Sequence, residues 1–237
     1  MRAAIIVAGG SGERLGREVG KQLTRISGRP LLSYTLEAFD RCPAVDAIVV
    51  VVHPDRIEEY RREAVDPIGS PKVIAVVAGG DTRQQSVAAG LEAVPASAEV
   101  VAVHDGARPL VTPDVIARAI GTLEADETLA GVVVGRPSYD TLKIVDDDGI
   151  VAGTVDRDLF WTAQTPQVFR AGVLRSAYQR SATDGVLGTD DASLVERCDG
   201  TVRMLAGPRR NIKVTVLEDL AIAEALLGVR GEGECDG

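Results

Sequence analysis

Aromatic side chains make up only 3% of the 237 residues, and histidine occurs twice. So few rings leave the apolar share of 45% to Val, Ala, Leu and Ile, the composition of a parallel sheet covered by helices on both faces. Cations are outnumbered, 26 Lys and Arg against 35 Asp and Glu, and the net charge of −9 argues against a broad nucleic-acid surface. Any anionic ligand must then be held by a local pocket of cations. Cys42, Cys198 and Cys235 are odd in number, widely spaced and without a nearby histidine, which suggests neither a disulfide framework nor a zinc site. No apolar run approaches the length of a membrane span and no signal-peptide pattern leads the chain, so no membrane partner and a cytoplasmic location are expected.

Both common phosphate-loop fingerprints are also missing from the one glycine-rich stretch that looks like a phosphate loop. Ile5–Leu23 runs from an apolar, β-rich segment into Ala8-Gly9-Gly10-Ser11-Gly12-Glu13-Arg14 and on to Gly20-Lys21-Gln22. A dinucleotide fingerprint needs glycine where Leu15 stands, and a P-loop ending at Lys21 needs that same glycine and Ser or Thr where Gln22 stands. A lone glycine cluster after a strand is also what an ordinary turn looks like. Its place at the end of the first strand of an α/β pattern favours a functional reading, because open sheets bind ligands at the carboxyl ends of their strands. There, bare backbone N–H groups with Arg14 and Lys21 can converge on one anion, and a nucleoside triphosphate is the first expectation.

Hydrophobic periodicity predicts alternating strands and helices. A helix follows Pro30, with Leu31, Leu32, Thr35, Leu36 and Phe39 at helical spacing. Strands are predicted at Ala47–Val52, Val73–Val77, Val100–Val103, Ala130–Val134 and Thr201–Leu205. Helices are predicted over about Arg56–Ala64, Gln84–Ala93, from Pro113 to about Glu124, Ala171–Arg180, Asp191–Arg197 and Leu217–Leu227. Between about 138 and 157 the texture changes. Thr141–Val145, the Asp146–Gly149 turn and Ile150–Val155 read as a protruding β-hairpin arm, too small to be stable in isolation and therefore expected to pack on something, a second subunit being the natural candidate. The fold expected is α/β, a Rossmann-like, mostly parallel sheet flanked by helices, in one domain over 1–227 with the arm inserted and a disordered tail over 228–237.

Several polar groups stand where strands stop: Arg14 and Lys21, then Asp81, Arg83 and Ser86, then Asp105 and Arg108. Parallel strands present their carboxyl ends along one rim, so these separate segments should face one crevice. Cations there suit phosphate oxygens, and Asp105 suits a divalent cation such as Mg²⁺ bridging phosphates. Lys213 by itself reads as a solvated lysine. His53 and His104 read as packed or capping residues, Asp146–Asp148 as a solvated turn without the spacing of a calcium loop, and Asp190-Asp191 as the acidic cap of a helix.

Taken together, the loop with Lys21-Gln22, Gly79-Gly80-Asp81-Thr82-Arg83 with Ser86, Val103–Pro109, Asp140–Lys143, Thr154–Arg157, Thr165-Pro166-Gln167, Thr189–Ser193 and Asn211–Thr215 closely resemble, in order, the motifs of the 2-C-methyl-D-erythritol 4-phosphate cytidylyltransferases. The resemblance covers nearly the whole chain. It implies CMP transfer from CTP to the phosphorylated polyol methylerythritol phosphate, releasing pyrophosphate, in non-mevalonate isoprenoid synthesis. It further implies that Arg14, Lys21 and Lys213 are the catalytic cations, and that Ala8, Gly9, Gly10, Gly12, Gly80, Asp81, Ser86 and Ala107 bind the nucleotide. Asp105 would sit at the Mg²⁺. Arg108, Thr141, Arg157 and Lys213, with Asp105, would hold the second substrate, Thr141 and Arg157 reaching across from the arm of a homodimer partner. The family usually has proline before Lys-Gln; Gly20 here exchanges a fixed φ for a permissive one, and a looser loop is expected.

Two rivals remain at this level. A ribitol 5-phosphate cytidylyltransferase or related sugar-phosphate nucleotidyltransferase would share most of these motifs. A non-catalytic nucleotide-binding protein would be expected to have lost the catalytic cations, yet Arg14, Lys21 and Lys213 are all present.

Overall fold

The computed structural model describes residues 1–10 and 20–233, with Lys21 and 229–233 described by their backbone alone. In chain order the elements are β1 (Arg2–Val7), β2 (Arg25–Ile26), β3 (Arg29–Pro30), α1 (Leu31–Asp40), β4 (Ala47–Val52), α2 (Ile57–Tyr60), β5 (Val73–Ala78), α3 (Arg83–Ala93), β6 (Val100–Asp105), α4 (Pro113–Glu124), β7 (Gly131–Pro137), β8 (Lys143–Val145), β9 (Val151–Thr154), β10 (Trp161–Arg170), α5 (Ala171–Asp184), α6 (Asp191–Glu196), β11 (Val202–Ala206) and α7 (Leu217–Gly233).

The central strands are apolar without interruption because both of their faces are covered. Along β1, β4 and β6, Ala4, Ile6, Ile48, Val50, Val52, Val100 and Ala102 enter one core with α1 and α4, while Ala3, Ile5, Val49, Val51, Val101 and Val103 enter a second with α3 and α5. Period-two alternation therefore distributes residues between two cores instead of between core and water. Helix starts are set by local chemistry: Thr82 and Gln85 form a reciprocal capping box on α3, and Thr112 caps α4 just before Pro113.

Seven strands form the main sheet in the order β11-β7-β10-β6-β1-β4-β5. All neighbours are parallel except β10, which runs antiparallel to both β6 and β7. Its sequence, with two glutamines and Pro166, does not read as a central strand, and no strand is predicted there. The sheet accommodates the proline in a register shift between Ala163 and Gln167, where the missing N–H costs no ladder bond. That break also turns Gln164 and Thr165 toward the rim of the sheet.

The arm is a separate two-stranded sheet, β8 paired antiparallel with β9, with Gly149 at φ +81° in its turn. Its second strand starts one residue later than the pattern predicts, since the Asp146 carboxylate accepts from Ile150 N at 2.8 Å and draws Ile150 into the turn, and at its base Leu142 and Val155 are joined only by Val155 N donating to Leu142 O at 3.3 Å. At the other end of the chain α7 runs to Gly233, past residue 228 where the tail is expected to begin, with Gly228 inside the helix; residues 234–237 of the expected tail lie outside the described residues. Among the described residues no helix is long and apolar enough to cross a membrane.

Candidate active site

Four strand ends meet at one rim. Val7 is level with Val51 and with Asp105 in the ladder, and the segments leaving the sheet stay bonded to their neighbours: Ala8 N donates to Val51 O at 2.6 Å, Gly79 N to Val52 O at 2.7 Å and Gly106 N to Val7 O at 2.8 Å. Ala8, Gly9 and Gly10 therefore leave β1 between the end of β4 at Val52 and Asp105-Gly106, with Gly79-Gly80 on the far side of Val52. Gly12 and Arg14 lie outside the described residues, as does the side chain of Lys21.

A cleft of about 300 Å³ opens on this rim, lined among others by Arg83, Asp105, Arg108, Gln164, Thr189 and Lys213. Asp105 is its electrostatic centre. Arg83 Nε donates to Oδ1 at 2.9 Å, Lys213 Nζ lies 2.7 Å from Oδ2 and Arg108 Nε 3.9 Å from the same oxygen. Burial alone would push the Asp105 carboxyl up, but the charges of Arg83, Lys213 and Arg108 together hold it well below the usual carboxylate range. It is thus a fixed negative charge at neutral pH.

Lys213 is brought to Asp105 by its neighbours. Asn211 is fully buried and donates through Nδ2 to Thr165 O at 2.8 Å and Gln164 Oε1 at 3.2 Å, while Val214 N donates to Ala107 O at 2.9 Å. These anchors straddle Lys213 and convert an apparent surface lysine into a lining residue. Arg108 is fixed by the same segment, its Nη1 donating to Asn211 O at 2.7 Å.

Arg83 has a second anchor that a capping explanation hides in the sequence. Asp190 alone caps α6, accepting from Ser193 N at 2.9 Å, whereas Asp191 is fully buried and accepts from Arg83 Nη2 at 2.8 Å and from the Tyr178 hydroxyl. Arg83 is stretched between Asp105 and Asp191, so Asp191 positions the guanidinium at the edge of the cleft. One sequence signal was available: a cap uses a single acid, and a second adjacent acid entering a helix otherwise lined by Ala192, Leu194 and Val195 needs a partner.

Gly80, Asp81 and Ser86 are not among the residues that line the cleft. The buried Ser86 hydroxyl donates to Thr82 O at 3.0 Å and lies 3.2 Å from Gly80 N, from which it accepts. A Cβ on Gly79 would stand 2.6 Å from that oxygen, so glycine is required for the loop to pack on α3. Thr141 and Arg157 are on the arm; Arg157 Nη1 donates to Tyr139 O at 3.1 Å, and neither residue lines the cleft of its own chain.

The histidines are structural. His53 Nδ1 accepts from Asp55 N at 3.3 Å and caps a short turn. His104 is fully buried, its ring tilted against Phe39 and its Nδ1 3.0 Å from Thr165 Oγ1, which in turn accepts from Asp105 N at 3.1 Å. Burial pushes its pKa down to about 3, against the opposing pull of the Asp105 charge. The unfolded chain takes up this proton near pH 6.5 and the folded chain only near 3, so His104 makes stability fall as pH drops through that window, by ~1.4 kcal/mol per pH unit. Thermal melts between these pH values are expected to be shallower in pH dependence for His104→Gln than for the parent chain. Identical dependence would mean that the folded protein protonates His104 without cost.

A sheet buried on both faces, with a glycine-rich loop after its first strand and three cations set round one carboxylate at its rim, defines an α/β protein of the nucleotidyltransferase class. The family model for 2-C-methyl-D-erythritol 4-phosphate cytidylyltransferase matches residues 2–229. The chain is 44% identical over 227 residues to the 2-C-methyl-D-erythritol 4-phosphate cytidylyltransferase of Geobacter metallireducens, covering 94% of this chain and 96% of that protein. To the enzyme of the same name from Symbiobacterium thermophilum it is 45% identical over 225 residues, 95% and 92% of the two chains. The crystal structure of 4-diphosphocytidyl-2C-methyl-D-erythritol synthase from Anaerococcus prevotii superposes with a TM-score of 0.83 at 31% identity, covering 96% of each chain. The chain belongs to the 2-C-methyl-D-erythritol 4-phosphate cytidylyltransferase family, whose reaction is CTP-dependent cytidylyl transfer to methylerythritol phosphate in the isoprenoid pathway of that name.

Proposed function

We propose that the chain carries out this transfer in a two-anion site, giving 4-diphosphocytidyl-2-C-methyl-D-erythritol and pyrophosphate in the cytoplasm, where CTP is at hand. The observation that carries the reading is the Asp105 cluster, in which Arg83, Arg108 and Lys213 converge on one carboxylate in an open cleft. The α-phosphorus of CTP is attacked by a phosphate monoester that is already largely ionised, its second pKa being about 6. No general base is needed, in keeping with a buried neutral His104 outside the cleft lining. What the step needs is two polyanions held in line with their charge offset, and that is work for preorganised cations.

In this reading Arg14 and Lys21 take the triphosphate, with Ala8, Gly9, Gly10 and Gly12 approaching it through backbone, and Gly80, Asp81, Ser86 and Ala107 beside the nucleoside. Arg108 and Lys213 hold the phosphate of the polyol, and Lys213 stabilises charge as it develops at the α-phosphorus. Asp105 keeps both side chains extended into the cleft. Asp105 offers Mg²⁺ an oxygen ligand, but its Oδ1 already accepts from Arg83 at 2.9 Å and its Oδ2 lies 2.7 Å from Lys213 Nζ, so the carboxylate would hold the ion only with one of those cations turned to the phosphates, which with water would supply the rest of the shell. Such an ion supplies charge neutralisation across the phosphates.

Thr141 and Arg157 complete the polyol site from the arm of a second copy in a homodimer. Support comes from the apolar surface the arm carries into solvent, including Ile144, Ile150, Val151, Leu159 and Phe160, with Leu159 79% exposed. Arg157→Ala is expected to raise KM for the polyol phosphate roughly 10–100-fold, the worth of one charge-assisted contact. Mixed with an inactive Lys21→Ala chain under verified subunit exchange, it should recover activity through hybrid dimers, and no recovery would place Arg157 outside a shared site.

The test of the function is pyrophosphate release from CTP, UTP, ATP and GTP with a panel of phosphorylated polyols. The highest turnover is expected with CTP and methylerythritol phosphate. Faster turnover with ribitol 5-phosphate would overturn the acceptor, and CTP binding without pyrophosphate release for any acceptor would overturn catalysis itself.

A further inference from the structure

Tyr60, the last residue of α2, is fully buried in the core, yet its hydroxyl is turned to the phosphate-loop segment. It donates to Gln22 Oε1 at 3.1 Å. Gln22 is itself buried, and its Nε2 lies 3.7 Å from where a Cβ on Gly10 would stand. A Cβ on Gly20 would collide with the Tyr60 hydroxyl and lie 3.1 Å from Cζ. Gly10 and Gly20 flank the loop, so the Gln22 amide stands near the residue that enters it while the Tyr60 hydroxyl packs on the residue that leaves it. Between Gly20 and Gln22 sits Lys21, in a tight turn closed by Leu23 N donating to Gly20 O at 2.9 Å.

We propose that Tyr60 is a positioning residue for Lys21: packed against Gly20 and bonded to Gln22, its hydroxyl fixes the turn whose backbone carries that lysine. This rests on the reading of Lys21 as a catalytic cation. Gly20 is accordingly explained by space and not by freedom, since the Tyr60 hydroxyl occupies the volume a side chain would need. The looseness expected from replacing proline by glycine is countered by a core residue that braces the same position. Burial pushes the Tyr60 phenol up to about 12, so it remains a donor across the working pH range. A misplacement of about 1 Å at a charge-stabilising group can cost an enzyme about 10²-fold.

The experiment measures kcat, KM for each substrate and melting temperature for Tyr60→Phe, Gly20→Ala, Gly20→Ala/Tyr60→Phe and Lys21→Ala in the full chain. Tyr60→Phe keeps the ring and loses only the hydroxyl, so kcat/KM for CTP is expected to fall about 5–50-fold, with KM for the polyol phosphate within about twofold of the parent. Gly20→Ala should lose more, and the double variant should recover part of that loss, because removing the hydroxyl leaves only the Cζ contact to relieve. A brace of purely structural value would instead lower both substrates' parameters together, and the two losses would add. The proposal is overturned by a Tyr60→Phe enzyme within about twofold of the parent, or by additive losses in the double variant. Where Gly20→Ala alone is not recovered folded, the Tyr60→Phe kinetics decide. Lys21→Ala separates the two levels: full activity in that variant removes the catalytic reading of Lys21, whereas its inactivity beside an unaffected Tyr60→Phe removes the brace alone.

Discussion

Lys213→Ala is expected to lower turnover by about 10²–10³ while moving the melting temperature by only a few degrees. Removing one preorganised group that stabilises transition-state charge costs ~3–4 kcal/mol of activation free energy. The stability side differs because of how Asp105 is held. Its carboxylate keeps Arg83 at 2.9 Å and Arg108 nearby after Lys213 is gone, and the lysine side chain is itself 38% exposed, so little buried charge is stranded. Steady-state kinetics and a thermal melt on the same preparation test both halves. Lys213→Arg retains the charge but not the compact ammonium, and an intermediate rate is expected. Turnover of Lys213→Ala within about threefold of the parent would exclude Lys213 from the reacting centre.

Asp191→Ala should show the opposite balance, with the larger effect on the fold. It removes the acceptor of the Tyr178 hydroxyl, which is buried, and one of the two carboxylates that hold Arg83 at the edge of the cleft. Stranding the buried Tyr178 hydroxyl costs ~1–3 kcal/mol, which for a chain of this size corresponds to a melting temperature lower by roughly 2–12 °C, while Arg83 keeps Asp105 and the water of the cleft. Activity is expected to fall as well, because Arg83 then pairs with Asp105 alone and leaves its place at the edge of the cleft. Tyr178→Phe combined with Asp191→Ala should cost less than the sum of the single changes, since removing both partners strands one fewer polar group. A melting temperature within about 2 °C of the parent would mean that the Tyr178 hydroxyl finds another partner.

These two residues also mark how far the sequence carries. The central strands and the helices between them are legible because their runs are long and unambiguous: Ala47–Val52 and Val100–Val103 have no polar residue to mistake, and Thr82 and Thr112 announce their helices. β10 is hidden because Pro166, Gln164 and Gln167 break the strand signal, and only a sheet with a bulge at that point accepts them. The candidate site divides in the same way. Asp105 and Arg108 are readable from their place at the end of a strand. Asp191 is masked by the ordinary preference of helices for an acid at their start.

The sequence by itself determined the alternation of strand and helix, the rim at which the polar motifs collect, and, through the ordered set of those motifs, the family. Each depends on short-range pattern, which is written directly in residue order. Only the tertiary structure decided that Lys213 faces Asp105, that Asp191 holds Arg83, that the arm's Thr141 and Arg157 do not line their own chain's cleft, and that the Tyr60 hydroxyl fills the space beside Gly20. Those pairs are separated by 40 to more than 100 positions, and what joins them is the order in which the strands are laid side by side.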